Sequence, residues 1–275
     1  MNLFTVDVED WFHVCGLGAA LPPERWDSMP SRVVSTTRRL LDLLDRAGVR
    51  GTFFVVGWIA ERHPTLVTDI AAAGHDVGSH GQLHRRVYEL TPPEFAADLA
   101  TSVQAIAGTG VPWPTAFRAP EWSINDKAPW ALEELARQQF EIDASMAPIK
   151  LIGRVDFRRD AHVRDTAAGP IVEIPPLVAD RFGQVMPLGW GWGLRLSSPR
   201  RVIDAMAAAN AAGRPAVLTV HPWELDPDPP RLRLPLKQWF AHYFRLDGFE
   251  ARLTEIVHAA PFSTLAATAR CVRSA

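Results

Sequence analysis

The chain has 275 residues, 47% of them hydrophobic and 22% charged, an ordinary globular balance. Its 29 basic and 31 acidic residues are mixed along the chain and sum to −2, so the whole-chain balance gives no electrostatic footprint for nucleic acid or anionic lipid. No stretch approaches the ~20 apolar residues that span a bilayer, so no transmembrane segment is expected.

Leu3 to Val8 is apolar and β-branched, a short buried strand that runs into Asp7, Glu9 and Asp10. Residues 12–31 hold glycine and proline and read as a long loop. A helix is predicted near 34–47, closed by Gly48, and a second buried strand in Gly51–Gly57. A helix near 64–73 ends at Gly74, and His75–Ser79 is a third strand. The helix at 92–107 starts after Thr91, with Glu94 at the capping-box position. Thr115–Arg118 is a strand, 127–138 a helix, and Phe140–Ile142 a strand ending at Asp143. Between about 148 and 198 the pattern breaks into short extended pieces, 155–157 and 171–174 among them, and the run Gly189-Trp190-Gly191-Trp192-Gly193. A helix near 199–212, a strand at 216–220, a proline-rich loop from 226 to 235, a helix near 249–258 and a strand at 262–265 complete the chain. Strands alternate with helices, and each polar motif follows a strand, the signature of parallel βα units with one catalytic face. No internal repeat or linker divides the chain, so one domain over 1–275 is expected.

Cys15 and Cys271 stand at opposite ends without metal or redox spacing, and two free thiols are expected. The first residues lack a basic region and an apolar run of signal-peptide length, so a cytoplasmic location is expected. His80 and His84 are four apart. On a helical turn both imidazoles would reach one metal ion. Zinc accepts imidazole and carboxylate, and a catalytic site supplies three protein ligands and an open place. The third ligand would come from the acidic cluster at 7–10. Of the ten tryptophans, Trp122, Trp190, Trp192 and Trp223 lie beside polar motifs, as does Trp11, whereas Trp58, Trp130 and Trp239 read as core packing. His13, His63, His162 and His258 read as surface or packing residues.

Taken together, Thr5-Val6-Asp7-Val8-Glu9-Asp10, His80-Gly81-Gln82-Leu83-His84, Arg118-Ala119-Pro120, Asp143-Ala144-Ser145-Met146 and Thr219-Val220-His221 resemble the motifs of the NodB-homology polysaccharide deacetylases, carbohydrate esterase family 4. Thr52-Phe53-Phe54-Val55 is similar to the family's second strand. The features from 189–193, His221-Pro222-Trp223-Glu224 and His242-Tyr243-Phe244 resemble a branch linked to exosortase and exopolysaccharide loci. The resemblance covers core motifs 2–224, with 225–275 a branch-specific extension. It implies an α/β fold, a distorted (β/α) barrel of the NodB-homology type with fewer than eight strands.

It also implies an N-acetylated carbohydrate substrate and one divalent metal, zinc first, with cobalt, nickel or manganese as alternatives. His80, His84 and a carboxylate would hold the metal. The family's adjacent aspartates are replaced here by Asp7-Val8-Glu9-Asp10. Asp10 is preferred as the ligand, on the reading that the chain has turned by then; Glu9 is the alternative, if it shares a strand face with Asp7. Asp7 would be the general base, oriented by Arg118, and His221 the acid, its basicity raised by Asp143. Trp122, Trp190, Trp192, Trp223 and Pro120 would meet the sugar. Two other classes fit the same motifs: an amidohydrolase of small cyclic imides or ureides, similar to allantoinase, and a non-catalytic sugar-binding relative.

Overall fold

The computed structural model describes residues 1–15, 21–181 and 183–274. In chain order its elements are β1 (Asn2–Val8), α1 (Val33–Arg46), β2 (Thr52–Val55), α2 (Gly57–Arg62), α3 (Pro64–Ala72), β3 (Asp76–Ser79), α4 (Pro92–Ala107), β4 (Ala116–Phe117), α5 (Ala131–Arg137), β5 (Ile142–Asp143), β6 (His162–Thr166), β7 (Gly169–Glu173), β8 (Val178–Arg181), β9 (Gln184–Pro187), α6 (Gly191–Leu196), α7 (Pro199–Ala211), β10 (Ala216–Val220), α8 (Leu236–Tyr243), α9 (Phe249–His258), β11 (Phe262–Ser263) and α10 (Leu265–Arg273).

The main sheet runs β10-β1-β2-β3-β4-β5-β7-β6, with β11 pairing β1 off that path. Pairing is parallel from β10 to β7, and β6 is added antiparallel at the edge. The result is a curled sheet with eight strands on its main path, the NodB-type architecture that the resemblance implied, though with eight strands rather than fewer. The outer edge of β10 is met by single hydrogen bonds with Leu177 and Gly189. A side chain at Gly189 would place Cβ 2.5 Å from the Val217 carbonyl oxygen, so only glycine permits that approach.

β1 is buried at every position. A parallel strand with both faces covered reads as a continuous apolar run. Its period-two alternation still sorts side chains. Phe4, Val6 and Val8 pack outward with Leu40 and Leu44 of α1 and Leu253 of α9. Leu3 points into the barrel with Phe54, Ala116, Ile142, Val172 and Val217, and Leu265 and Ala269 of α10 pack into the same cluster. Each such fully buried Leu, Val or Phe is worth roughly 1.5–3 kcal/mol of transfer free energy. The apolar filling ends at Thr5, whose hydroxyl meets Thr219 and Arg118. Beyond it, at the C-terminal ends of the strands, the interior becomes polar.

The structure departs from the expected elements in several places. Residues 23–28 of the long loop form a 3-10 helix, and α2 begins immediately after β2. The 155–157 segment is not a strand, and the broken region instead contains the hairpins β6–β7 and β8–β9. Two further helices, α8 and α10, follow the proline-rich loop and the last strand. Both are short, at eight and nine residues. Trp239 is 39% exposed and so is not core packing; Trp58 is buried and Trp130 packs half-buried against a core cluster.

Candidate active site

The alternation of β1 decides which acid faces the interior. Asp7 lies on the inward face with Thr5, and Glu9 continues that period as the strand ends. Asp10 falls on the other side. Its carboxylate accepts from the Trp11, Arg32 and Val33 amides and from the Ser31 hydroxyl, all near the N-terminus of α1. Anionic groups are stabilised there by unpaired amides and the helix dipole. Asp10 is thus a helix-capping residue, which corrects the preference for it as a ligand.

Glu9 stands where that ligand would be. Its Oε1 is 3.0 Å from His80 Nε2 and 2.8 Å from His84 Nε2. His80 Nδ1 is 2.7 Å from the Arg118 carbonyl oxygen, and His84 Nδ1 is 3.4 Å from Cys15 Sγ. Glu9 Oε1 accepts from both Nε2 atoms, and with Nδ1 of His80 turned to a carbonyl it is Nε2 that would offer a lone pair to an ion. Two imidazole nitrogens and a carboxylate oxygen converge within 4.8 Å, a donor set suited to a divalent ion. Asp7, Glu9 and His221 form a second such group. The histidine pair is not built on a helical turn. Residues 80–84 are irregular; Gly81 has φ +75° and His84 φ +49°, and these left-handed residues fold the loop until the rings are 5.1 Å apart.

Arg118 is completely buried. It donates to Asp7 Oδ1 at 2.9 Å, Thr5 Oγ1 at 2.8 Å and the Ala144 carbonyl at 3.0 Å. Its guanidinium is sandwiched between the rings of Phe54 and Trp122. Glu121 and Trp122 have φ +51° and +56°. Such strained non-glycine residues collect at functional sites, and here they seat the Trp122 ring over Arg118.

His221, at the end of β10, has Nε2 3.9 Å from both Asp7 Oδ2 and Glu9 Oε1. Its Nδ1 is 3.0 Å from Glu224 Oε2. Burial opposes the charged imidazole, but Glu9, Glu224 and Asp7 prevail and raise its pKa to about 9. Burial likewise works against the Glu9 carboxylate, yet His84, His221 and His80 hold it well below the usual range. Asp143 does not reach His221. Its carboxyl meets Ser145 and Glu173, so the expected support of His221 by Asp143 is corrected to Glu224. Glu224 sits at the third position of the 3-10 helix Pro222–Leu225, where it also accepts from the His221 amide. That His-Pro-x-Glu spacing, a capping box with histidine at the cap, was a legible signal. Arg195 of α6 pairs with Glu224 at 2.8 Å, and both are fully buried. Arg195 also donates to the carbonyls of Ala241, His242 and Phe244, tying the end of α8 to the site.

These groups open into a cleft of about 360 Å³. Trp122, Trp190, Trp192 and Trp223 line it, with Asp7, Glu9, His84 and His221 among its polar lining. Trp122 and Trp190 lie 5.1 Å apart. Trp223 is stacked between His221 and His242. Pro120 is buried and is not among the lining residues, so its expected contact with substrate is not supported. His13, read from the sequence as surface or packing, is buried, lines the cleft and stacks on His84 with ring centroids 6.0 Å apart. Cys15 and Cys271 are free thiols, and among the described residues no helix is long and apolar enough to cross a membrane.

Comparison with known proteins bears on this arrangement. The polysaccharide deacetylase family model matches residues 25–140, and a domain of unknown function, DUF3473, matches 144–270. Chitin deacetylase 1 of Saccharomyces cerevisiae is 28% identical over 121 residues, 44% of this chain and 40% of that protein. The chain thus spans less than half the length of that curated relative. A Mycobacterium smegmatis structure assigned to the polysaccharide deacetylases superposes with a TM-score of 0.62 at 23% identity, covering 99% of this chain and 89% of that one. An allantoinase superposes with a TM-score of 0.64 at 16% identity over the same shares. At those identities the structural likeness speaks for the fold alone. The strand-end constellation, the curled sheet and the family match agree on a polysaccharide deacetylase domain of the NodB type, matched over residues 25–140 and followed by a DUF3473 region over 144–270.

Proposed function

We propose that this protein is a metal-dependent hydrolase that removes N-acetyl groups from N-acetylhexosamine units of an exopolysaccharide or its precursor. The reading takes residues 1–275 as one unit, since strands from both matched regions share a single sheet. Glu9, His80 and His84 would hold the ion, with zinc favoured by two imidazoles and one carboxylate. A divalent ion held there supplies Lewis-acid polarisation of the acetyl carbonyl and a lower water pKa. Asp7, paired with Arg118 and 3.9 Å from His221, accepts the proton of the attacking water. As the C–N bond breaks, His221 Nε2 gives its proton to the amine nitrogen, leaving acetate and a free amino sugar. Glu224 orients the His221 ring through Nδ1 and supports its charged form. Trp190, Trp192 and the Trp122 edge offer flat apolar faces to sugar rings.

The observation that carries the reading is the convergence of Asp7, paired with Arg118, and of a His221 imidazole charged near neutral pH on the edge of a metal-fitting triad. The aromatic cleft favours a sugar over a small imide. The test is acetate release from N-acetylglucosamine oligomers, with and without chelator, run beside ring opening of allantoin. Chelator-sensitive acetate release is expected. Ring opening without acetate release would replace this function by the imide one, and neither activity in a metal-loaded protein would leave a sugar-binding relative.

A further inference from the structure

Three large apolar side chains of α8 face solvent: Leu236 is 81% exposed, Trp239 39% and Phe240 37%. Their i, i+3, i+4 spacing puts them on one stripe of the helix. The stripe is backed by packing, since Phe240 stacks on Phe244 at 4.5 Å and Trp239 lies 6.3 Å from Tyr243. Gln238, Ala241 and His242 of the same helix line the cleft, so the stripe borders its mouth.

The charge around the stripe has one sign. Residues 229–246 contain Arg231, Arg233, Lys237 and Arg245 and no aspartate or glutamate. All four cations are exposed. In Arg231-Leu232-Arg233-Leu234 the leucines turn onto the core and the arginines turn out. The whole-chain charge of −2 conceals this segment because acids elsewhere cancel it. A neutral glycan would use the rings but has no need of four cations or a bare leucine. Leucine, tryptophan and phenylalanine flanked by arginine and lysine suit the headgroup region of an anionic bilayer, where the rings enter the acyl boundary and the cations meet lipid phosphates. Leu151, 74% exposed and also lining the cleft, adds an apolar contact beside the exposed Lys150.

We propose that α8 and the segment leading into it dock the protein peripherally on an anionic lipid surface, with the mouth of the cleft beside that surface. Flotation of the whole protein with vesicles tests this, and because it is read without catalysis it stands apart from the deacetylase assignment. Wild type should float with vesicles of phosphatidylcholine and phosphatidylglycerol, remain below with pure phosphatidylcholine, and be released by high salt. The variants Leu236→Ser/Trp239→Ser/Phe240→Ser and Arg233→Gln/Lys237→Gln should each lower the partition coefficient by about tenfold or more. Both should keep the wild-type circular dichroism, since none of these side chains is buried. Absence of flotation, or equal flotation of both folded variants, overturns the proposal. So does retention on a soluble anionic polysaccharide without vesicle binding, which would assign the stripe to glycan.

Discussion

Asp7 and Glu9 at the end of β1, and Asp143 and Glu173 at the ends of β5 and β7, are four buried carboxylates in one sheet. Burial alone would push all of them toward the neutral form. The first pair is set against cations and hydrogen-bond donors: Arg118 on Asp7, and His84 and His221 with the His80 hydrogen bond around Glu9. The second pair faces itself. Burial, together with their mutual repulsion, raises Glu173 well above its usual range, and burial raises Asp143 as well. They are in register across β5 and β7 and share a hydrogen bond, one carboxyl protonated toward the other. The comparison teaches that burial at a strand end does not by itself decide an acid's charge; the sign of its neighbours does. The first pair opens to the cleft, with Glu9 held in its charged form, whereas the second braces the barrel and accepts from the Met146 amide behind it.

The strongest way to break this contrast is to remove the first pair's chemistry. Glu9→Gln and His80→Ala/His84→Ala should lose the bound divalent ion, measured by elemental analysis, and acetate release should fall to background. Asp10→Ala should keep the ion and instead cost about 0.5–2 kcal/mol of stability through the lost cap of α1, read by denaturant unfolding. An Asp10 variant without metal would return the ligand role to it. Next in size, Asp7→Asn and His221→Ala should each lower kcat by about 10²–10⁴-fold while the metal content stays full.

The support of His221 gives a smaller and sharper effect. A pKa raised to about 9 keeps the imidazole charged at neutral pH, so activity should hold on the alkaline side and fall as pH rises toward 9. A cation at Glu9 cancels one of the three carboxylates that raise it, so the limb of the loaded enzyme lies below 9. Glu224→Gln removes another, and its alkaline limb should move to still lower pH. An unmoved limb would detach Glu224 from His221. The smallest effect belongs to the second pair. Asp143→Asn should leave the pH–rate profile in place, since Asp143 does not meet His221. Glu173 has its folded pKa raised above the ordinary 4.5. Its contribution to stability is therefore fully present below 4.5 and is lost as pH rises through the raised value. Glu173→Gln should flatten that decline in thermal unfolding measured against pH.

Much of the fold was legible because it is written locally. The Thr91–Glu94 capping box marked the start of α4, the apolar run at 216–220 marked β10, and the helix periodicity marked α9. Where local patterns were weak, reading failed. α8 is a short helix directly after a proline-rich loop, its apolar stripe faces solvent rather than a core, and α10 follows β11 after a single residue. The His80–His84 spacing suggested a helical turn, but glycine at 81 with positive φ bends the loop instead. The acid that meets the histidine pair was half legible: period two pointed to Glu9, yet the sequence does not say where β1 stops.

What the sequence determined by itself was the set of polar residues and their places at the ends of successive strands, because alternation and capping are properties of neighbouring residues. What only the tertiary structure decided was which of them meet. The curl of the sheet carries Asp7, His80, Arg118 and His221 to one side of the barrel from positions more than a hundred residues apart in part. It turns Asp10 away to an outer helix, leaves Asp143 to Glu173, and brings Glu224 and Arg195 behind His221. Those pairings follow from strand order and from which face each side chain takes, and neither quantity is stored in any short stretch of the chain.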